Sequence, residues 1–107
     1  FDYYAVLDFE CTCSESGPWQ HEIIECPVVF IDAATRAPAF EFRRFVKPSE
    51  RPKLTTFCKK LTGITEKDFE GASCLEDVLL EFHEFLRSHN MVDRRRDRSA
   101  ERPLFVL

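Results

Sequence analysis

The pattern of apolar and polar residues predicts an opening strand over Tyr3–Glu10 that ends in two carboxylates. Side chains alternate between the two faces of a strand, so Asp8 and Glu10 should project to one side and Phe9 to the other. Two acids on one face, with no base between them, repel each other unless a cation lies between them. The pattern therefore favours a divalent metal ion at the end of this strand.

Two more strands are predicted over Ile23–Ile31 and Phe40–Val46, with Asp32–Ala39 as a turn of hairpin length. Pro27 lies inside the second strand. Because proline has no N–H to give to the ladder, it favours an edge position or a bulge. With the opening strand, these segments form a predicted three-stranded antiparallel meander.

A short helix is predicted over Lys53–Leu61. Its apolar residues recur at helical spacing, and Gly63 suits the position just after the helix. The apolar residues are Leu54, Phe57, Cys58 and Leu61.

The strongest helical pattern runs from Cys74 to about His89. Ser73 and Glu76 are spaced as a capping box at its start, and Arg87 near its end matches the helix dipole. The predicted apolar stripe is Leu75, Val78, Leu79, Phe82 and Leu86. His83 lies beside that stripe and is predicted to be a surface or boundary residue.

The last part of the chain is predicted as a charged loop, rich in arginine over Asp93–Arg98, followed by an apolar strand at Leu104–Leu107. An apolar run of this kind is typical of a buried parallel strand. The element order β-β-β-α-α-β predicts a mixed α/β sheet, in which a right-handed crossover returns the last strand beside the first.

The length of 107 residues allows at most one small domain. No apolar run approaches the roughly 18–20 residues that span a membrane. Nothing at the start resembles a secretory signal. We therefore expect an intracellular protein, cytoplasmic or nuclear, with no membrane partner.

The formal net charge of −4 conceals an uneven distribution. Residues 1–42 contain eight acids and one base, whereas residues 43–60 contain seven bases and one acid, Glu50. An acidic site beside a basic segment suits a protein that binds metal and a phosphate backbone. A solvated charged surface is the plainer interpretation of such a run.

The five cysteines are not spaced as a disulfide framework. Cys11 and Cys13 form C-x-C with no second pair, so a zinc module is a weaker hypothesis, and we expect no stoichiometric zinc. Trp19 lies in the predicted loop 12–22, where it suits either stacking on a base or closing over the core.

Five segments, in the same order along the chain, resemble one family. Residues 7–13, LDFECTC, resemble the first motif of DEDD-type (DEDDh) 3′–5′ exonucleases of the ribonuclease H-like fold. Residues 21–28, HEIIECPV, are similar to a segment of the enhanced-RNAi and histone-mRNA exoribonuclease subfamily. The segments FVKP at 45–48, LTTFC at 54–58 and LTGIT at 61–65 resemble the same subfamily.

The resemblance implies a site with two divalent ions, Mg²⁺ or Mn²⁺, about 3.5–4 Å apart, that hydrolyses phosphodiester bonds. It implies that Asp8 contacts both ions and that Glu10 binds the ion that activates the attacking water. The backbone at Cys11 and Thr12 is expected to lie against the terminal nucleotide. Residues Leu61, Thr62, Gly63 and Ile64 are expected to hold the 3′-terminal base and sugar, although Leu61 suits the core equally well.

The chain departs from the family pattern because two further acids and a general-base histidine have no matching positions. His21, His83 and His89 all lie upstream of where that histidine belongs. We therefore expect residues 1–107 to be the N-terminal part of a single exonuclease domain that is inactive by itself. Single-stranded RNA 3′ ends are the favoured substrate. The alternative is a nuclease-like domain that has lost its chemistry and binds RNA or another partner.

Overall fold

The computed structural model describes residues 1–91 and 105–106. The elements are β1 (Tyr3–Leu7), β2 (Glu10–Cys11), β3 (Ile23–Asp32), β4 (Pro38–Phe45), α1 (Thr56–Thr62), α2 (Leu75–Ser88) and β5 (Phe105–Val106). The arginine-rich segment Asp93–Arg98, predicted as a loop, lies outside the described residues.

The strands form one sheet with β3 at its centre. β1 and β2 follow each other along one side of β3, antiparallel to it, and β4 pairs antiparallel along the other side. β5 pairs parallel with the outer side of β1, with Tyr3 opposite Phe105. The predicted mixed α/β sheet is therefore confirmed, and so is the return of the last strand beside the first.

The predicted continuous strand Tyr3–Glu10 is wrong, because the ladder stops after Leu7 and resumes at Glu10. Leu7 pairs with Val28 and Glu10 pairs with Glu25, so one register runs through the gap and sets Asp8 opposite Pro27. Proline has no N–H to contribute to a ladder. Pro27 therefore accompanies an interruption between β1 and β2 and not a sheet edge, since β3 is paired on both sides.

One core lies between the sheet and α2. Phe30 and Phe42 are fully buried, and their rings pack against Phe82 and Phe85 at centroid separations of 5.1–6.5 Å. Leu79, which we predicted to lie in the apolar stripe, is 49 % exposed, so that assignment is wrong. Phe85 packs against the core in addition to the predicted Phe82 and Leu86, because the buried stripe curves around the helix.

The start of α2 also differs from its prediction. Cys74 is the N-cap residue, and its side chain makes no capping hydrogen bond to the helix backbone. The capping box from Ser73 to Glu76 is therefore wrong by one position. Among the described residues, no helix is both long and apolar enough to cross a membrane.

A second, smaller core lies under α1 and the turn after it. Its buried members are Ile24, Leu54, Cys58, Ile64 and Phe69. α1 begins after Thr55, whose hydroxyl accepts the Cys58 N–H at 3.0 Å, so the helix starts later than the predicted Lys53. The predicted apolar stripe is only half right, because Phe57 and Leu61 face outward.

Candidate active site

Asp8 and Glu10 lie at the interruption between β1 and β2, on the sheet face that α2 does not cover. Ala5 points into the core and is buried, whereas Tyr4 and Val6 are 45 % and 51 % exposed. Continuing this alternation through the unbroken register sets Asp8 and Glu10 on the same side as Tyr4 and Val6. Asp8 is exposed and Glu10 is half-buried.

Glu10 lies directly opposite Glu25 across the β2–β3 pair. Like charges at such a position destabilise a sheet. Glu25, which is 8 % exposed, is neutralised by Arg43 of β4, whose Nε donates to its Oε1 at 2.5 Å. This ion pair offsets the charge of Glu25, whereas Glu10 has no ion-pair partner among the described residues.

The carboxylate of Glu22, close to Thr12, also has hydrogen-bond donors from the protein. Glu22 accepts the backbone N–H groups of Ser49, Glu50 and Arg51 at 2.8–3.2 Å. Burial alone raises the pKa of Glu22, but these donors outweigh it and hold the pKa below its ordinary value. By contrast, neither the Asp8 nor the Glu10 carboxylate receives a hydrogen bond or an ion pair from any described residue.

Thr12 fixes the loop that follows β2. Its buried hydroxyl accepts the Glu22 N–H at 2.9 Å and the Trp19 indole N–H at 3.4 Å. Its own N–H donates to the Glu22 carbonyl at 2.8 Å, and its carbonyl lies 2.7 Å from the His21 Nδ1. Both backbone polar groups of Thr12 therefore have protein partners, and its role in this structure is to hold residues 11–13 against residues 19–22.

α1 is attached directly to the same strand. The Thr55 hydroxyl donates to the Cys13 carbonyl at 2.7 Å, and the Cys58 thiol donates to the Cys11 carbonyl at 3.6 Å. α1 ends in the segment 61–64 that we predicted to hold the terminal nucleotide, and its start is positioned by contacts to residues 11–13. Cys11 directly follows Glu10 in the chain, so one of these contacts is made next to a candidate metal ligand.

Cys11 and Cys13, which follow Glu10, both have a pKa raised above the ordinary thiol value. Burial raises the pKa of Cys11, and the charge of Glu10 raises it further. Burial and, secondarily, a hydrogen bond with Cys58 together raise the pKa of Cys13 to about 11. Within the described part of the chain, no three His, Cys, Asp or Glu side chains are grouped to hold a metal.

The segment 61–64 presents one apolar side chain and an open backbone. Leu61 is 68 % exposed, which excludes the core alternative, whereas Ile64 is buried in the second core. Gly63 ends α1 at φ = 74°, and the space where a Cβ would project is open. The glycine is therefore required by its left-handed conformation, and it leaves room for a ligand beside it. The Thr62 hydroxyl donates to the Cys58 carbonyl at 2.8 Å and accepts the Ile64 N–H at 3.1 Å.

Two exposed aromatic side chains near the site were not predicted as site residues. Phe57 lies one helical turn before Leu61 on α1 and is 36 % exposed, and Phe9, which is 42 % exposed, lies between the two carboxylates in sequence but on the opposite face by alternation. Helical spacing suggested that Phe57 was a core residue. The signal that could have revealed it is the shortness of α1, because a two-turn helix can bury only part of such a stripe.

This mixed sheet is the fold of DEDDh exonucleases with a ribonuclease H-like core. The chain belongs to the exonuclease family RNase_T, whose sequence profile matches residues 5–98.

Individual proteins that are similar in sequence support the same family assignment. ERI1 exoribonuclease 2 of Danio rerio is 42 % identical over 89 residues, which are 82 % of this chain and 16 % of that protein. 3′-5′ exoribonuclease 1 of Mus musculus is 37 % identical over 93 residues, 85 % of this chain and 27 % of that protein. The chain therefore spans less than a third of the length of either relative.

The structural comparison gives the same family. The nuclease domain of 3′hExo, a DEDDh family member solved in complex with rAMP, superimposes with a TM-score of 0.82 at 33 % identity. The match covers 88 % of this chain and 48 % of that one.

Proposed function

We propose that the chain forms the N-terminal part of a 3′–5′ exonuclease domain that trims RNA by a two-metal mechanism. The observation that carries the proposal is the contrast among the acids at this end of the sheet. Glu22 and Glu25 are satisfied by protein donors, whereas Asp8 and Glu10 have none among the described residues. A pair of same-face carboxylates without a protein partner is suited to a bound cation.

The donor set fits hard divalent ions. Carboxylate oxygens are the ligands that Mg²⁺ and Mn²⁺ prefer, whereas cysteine sulfur suits softer metals. Two such ions, when bound, stabilise the charge on the incoming and leaving oxygens of a phosphodiester displacement. Asp8 and Glu10 supply two carboxylates, so we place the remaining ligands and the general-base histidine outside the described residues.

The chain's own residues would orient the terminal nucleotide. Leu61 and Phe57 present apolar surface on α1, and Gly63 leaves open space at the helix end. Such a surface suits stacking on a base and close approach of a sugar. RNA is favoured over DNA because the relatives are named exoribonucleases and the 3′hExo structure contains rAMP.

The test is the substitution Asp8→Asn in the complete polypeptide that carries this segment. We expect trimming of a 5′-labelled RNA in Mg²⁺ to fall by a factor on the order of 10³ or more, because several kcal/mol of transition-state stabilisation is lost. The matched control is Glu41→Gln, which removes one charge from an exposed acid on β4.

Trimming by the Asp8→Asn protein at the rate of the Glu41→Gln control would contradict the proposal. A wild-type polypeptide that binds RNA in Mg²⁺ but leaves its 3′ end intact would also contradict it and would favour the inactive binding module.

A further inference from the structure

The seven bases over residues 43–60 fall into two groups. Three form ion pairs with acids from other segments, namely Arg43–Glu25, Arg44–Glu81 and Lys59–Glu66. The other four, Lys47, Arg51, Lys53 and Lys60, have no carboxylate partner among the described residues. The unpaired bases lie on the connector between β4 and α1 and on α1 itself, which is the segment attached to residues 11–13 through Thr55.

Arg51 is distinguished within this group by its contact with an aromatic ring. Its guanidinium carbon lies 4.1 Å from the centroid of the Trp19 indole, within the range of a cation–π contact. Arg51 is exposed and Trp19 is half-buried. We call these two residues the Arg51–Trp19 pair.

Both members of the pair are fixed by other bonds. The Arg51 N–H donates to the Glu22 carboxylate at 2.9 Å, and the Trp19 indole N–H donates to the Thr12 hydroxyl at 3.4 Å. Thr12 comes two residues after Glu10 along the same strand and loop. The backbone of Arg51 is therefore anchored to Glu22, and the indole that its guanidinium stacks on is anchored to Thr12, two residues from Glu10.

The way in which Arg51 is held leaves its donors free. Stacking engages the face of the planar guanidinium, whereas its five N–H groups point outward around its edge. The side chain of Arg51 makes no hydrogen bond to any described residue. An ordered guanidinium with unused donors matches the geometry of a phosphate, which it binds in a bidentate manner.

We propose that the Arg51–Trp19 pair is a subsite for a backbone phosphate of single-stranded RNA, upstream of the 3′-terminal nucleotide. Because the scissile bond is at the 3′ end, any further backbone contact must lie on the 5′ side of it. Lys47 and Lys53 flank Arg51 in sequence and add positive charge to the same connector. The inference rests on the proposed nuclease function and assigns Arg51 as a residue that binds the RNA backbone.

The test is equilibrium binding in the Asp8→Asn background, where the RNA is not consumed. We expect Arg51→Gln to weaken binding of a long oligouridine about tenfold, as expected for one charge-assisted contact. The slope of log affinity against log salt should fall by about 0.7, since one phosphate contact to a single strand is lost. Trp19→Ala should cause a similar loss, and Trp19→Phe, which keeps a ring face, a smaller one.

The control is Arg36→Gln, which removes the same charge from the β3–β4 turn at the far end of β3. It should leave both affinity and salt slope unchanged. With Asp8 restored, Arg51→Gln should not change the rate on a dinucleotide, whose one phosphate is the scissile one.

Affinity and salt slope in Arg51→Gln equal to those of Arg36→Gln would overturn the inference. A loss of dinucleotide trimming in Arg51→Gln would overturn it too, because the residue would then support the site's structure. The binding result is independent of catalysis, because it is measured in the Asp8→Asn background. A failure of the proposed function itself would appear separately, as trimming that does not depend on Asp8.

Discussion

The two sides of the described structure differ in how much hydrogen bonding accompanies their apolar packing. On the side of α2, aromatic rings bury one another, and the rings of Phe30, Phe42, Phe82 and Phe85 form the centre of the contact. On the side of the loops and α1, a smaller apolar core is supplemented by side chains that bond to the backbone of other segments. The bonding residues there are Thr12, Glu22 and Thr55.

This difference in hydrogen bonding is related to the position of the candidate active site. Apolar burial is strong but non-directional, so it holds α2 on the sheet without fixing the position of any polar group. Hydrogen bonds to the backbone are weaker in net terms but set distance and direction. The unpaired acids, the exposed face of α1 and the Arg51–Trp19 pair all lie on the hydrogen-bonded side, where positioning matters most.

The largest effect should come from removing the centre of the aromatic core. Phe30→Ala should lower the free energy of unfolding by about 3–5 kcal/mol, because the ring is fully buried and its loss leaves a cavity. Denaturant titration of the complete polypeptide would measure it. The control is Leu80→Ala on the outer face of α2, where the side chain is 66 % exposed and the change should be small.

A loss of the same size in both variants would show that the outer face of α2 is covered, and the distinction between the two sides would have to be redrawn.

A smaller and more local effect should follow from Glu22→Gln. The amide cannot accept all the donors that the carboxylate satisfies, so the variant should lose about 1–3 kcal/mol at neutral pH. Hydrogen exchange should quicken at Ser49, Glu50 and Arg51, while the amides of α2 stay protected. Equal quickening in α2 would show that the two sides do not behave separately.

The stability difference between wild type and Glu22→Gln should also depend on pH. The pKa of Glu22 is lower in the folded protein than its value of about 4.3 in the unfolded chain. Its stabilising contribution is therefore full above the unfolded pKa and is lost as the pH falls through the folded pKa. Denaturant titrations at descending pH should show the two proteins converging in acid, and a constant difference would contradict this assignment.

The elements of the α2 side were largely predictable from the sequence, because a long amphipathic pattern and alternating strands carry strong signals. The errors there were local. The N-cap position is occupied by Cys74 and not by Ser73, and Leu79 faces outward. Hydrophobic periodicity alone does not determine the N-cap residue or the exposure of Leu79, since both depend on how α2 packs against the sheet.

The hydrogen-bonded side was less predictable. Asp8 and Glu10 were identified by alternation, but the interruption opposite Pro27 depends on the pairing of two strands. The roles of Thr12 and of the Arg51–Trp19 pair depend on contacts between loops far apart in sequence. Propensity and spacing do not encode such contacts.

The central claim is that Asp8 and Glu10 hold divalent ions, and paramagnetic broadening tests it without reference to activity. Mn²⁺ added to the isotope-labelled complete polypeptide should first broaden the backbone amide signals of residues 8–12, while those around Arg36, at the far end of β3, remain sharp. In Asp8→Asn combined with Glu10→Gln, this selective broadening should disappear. Broadening centred elsewhere, or unchanged in the double variant, would contradict the account.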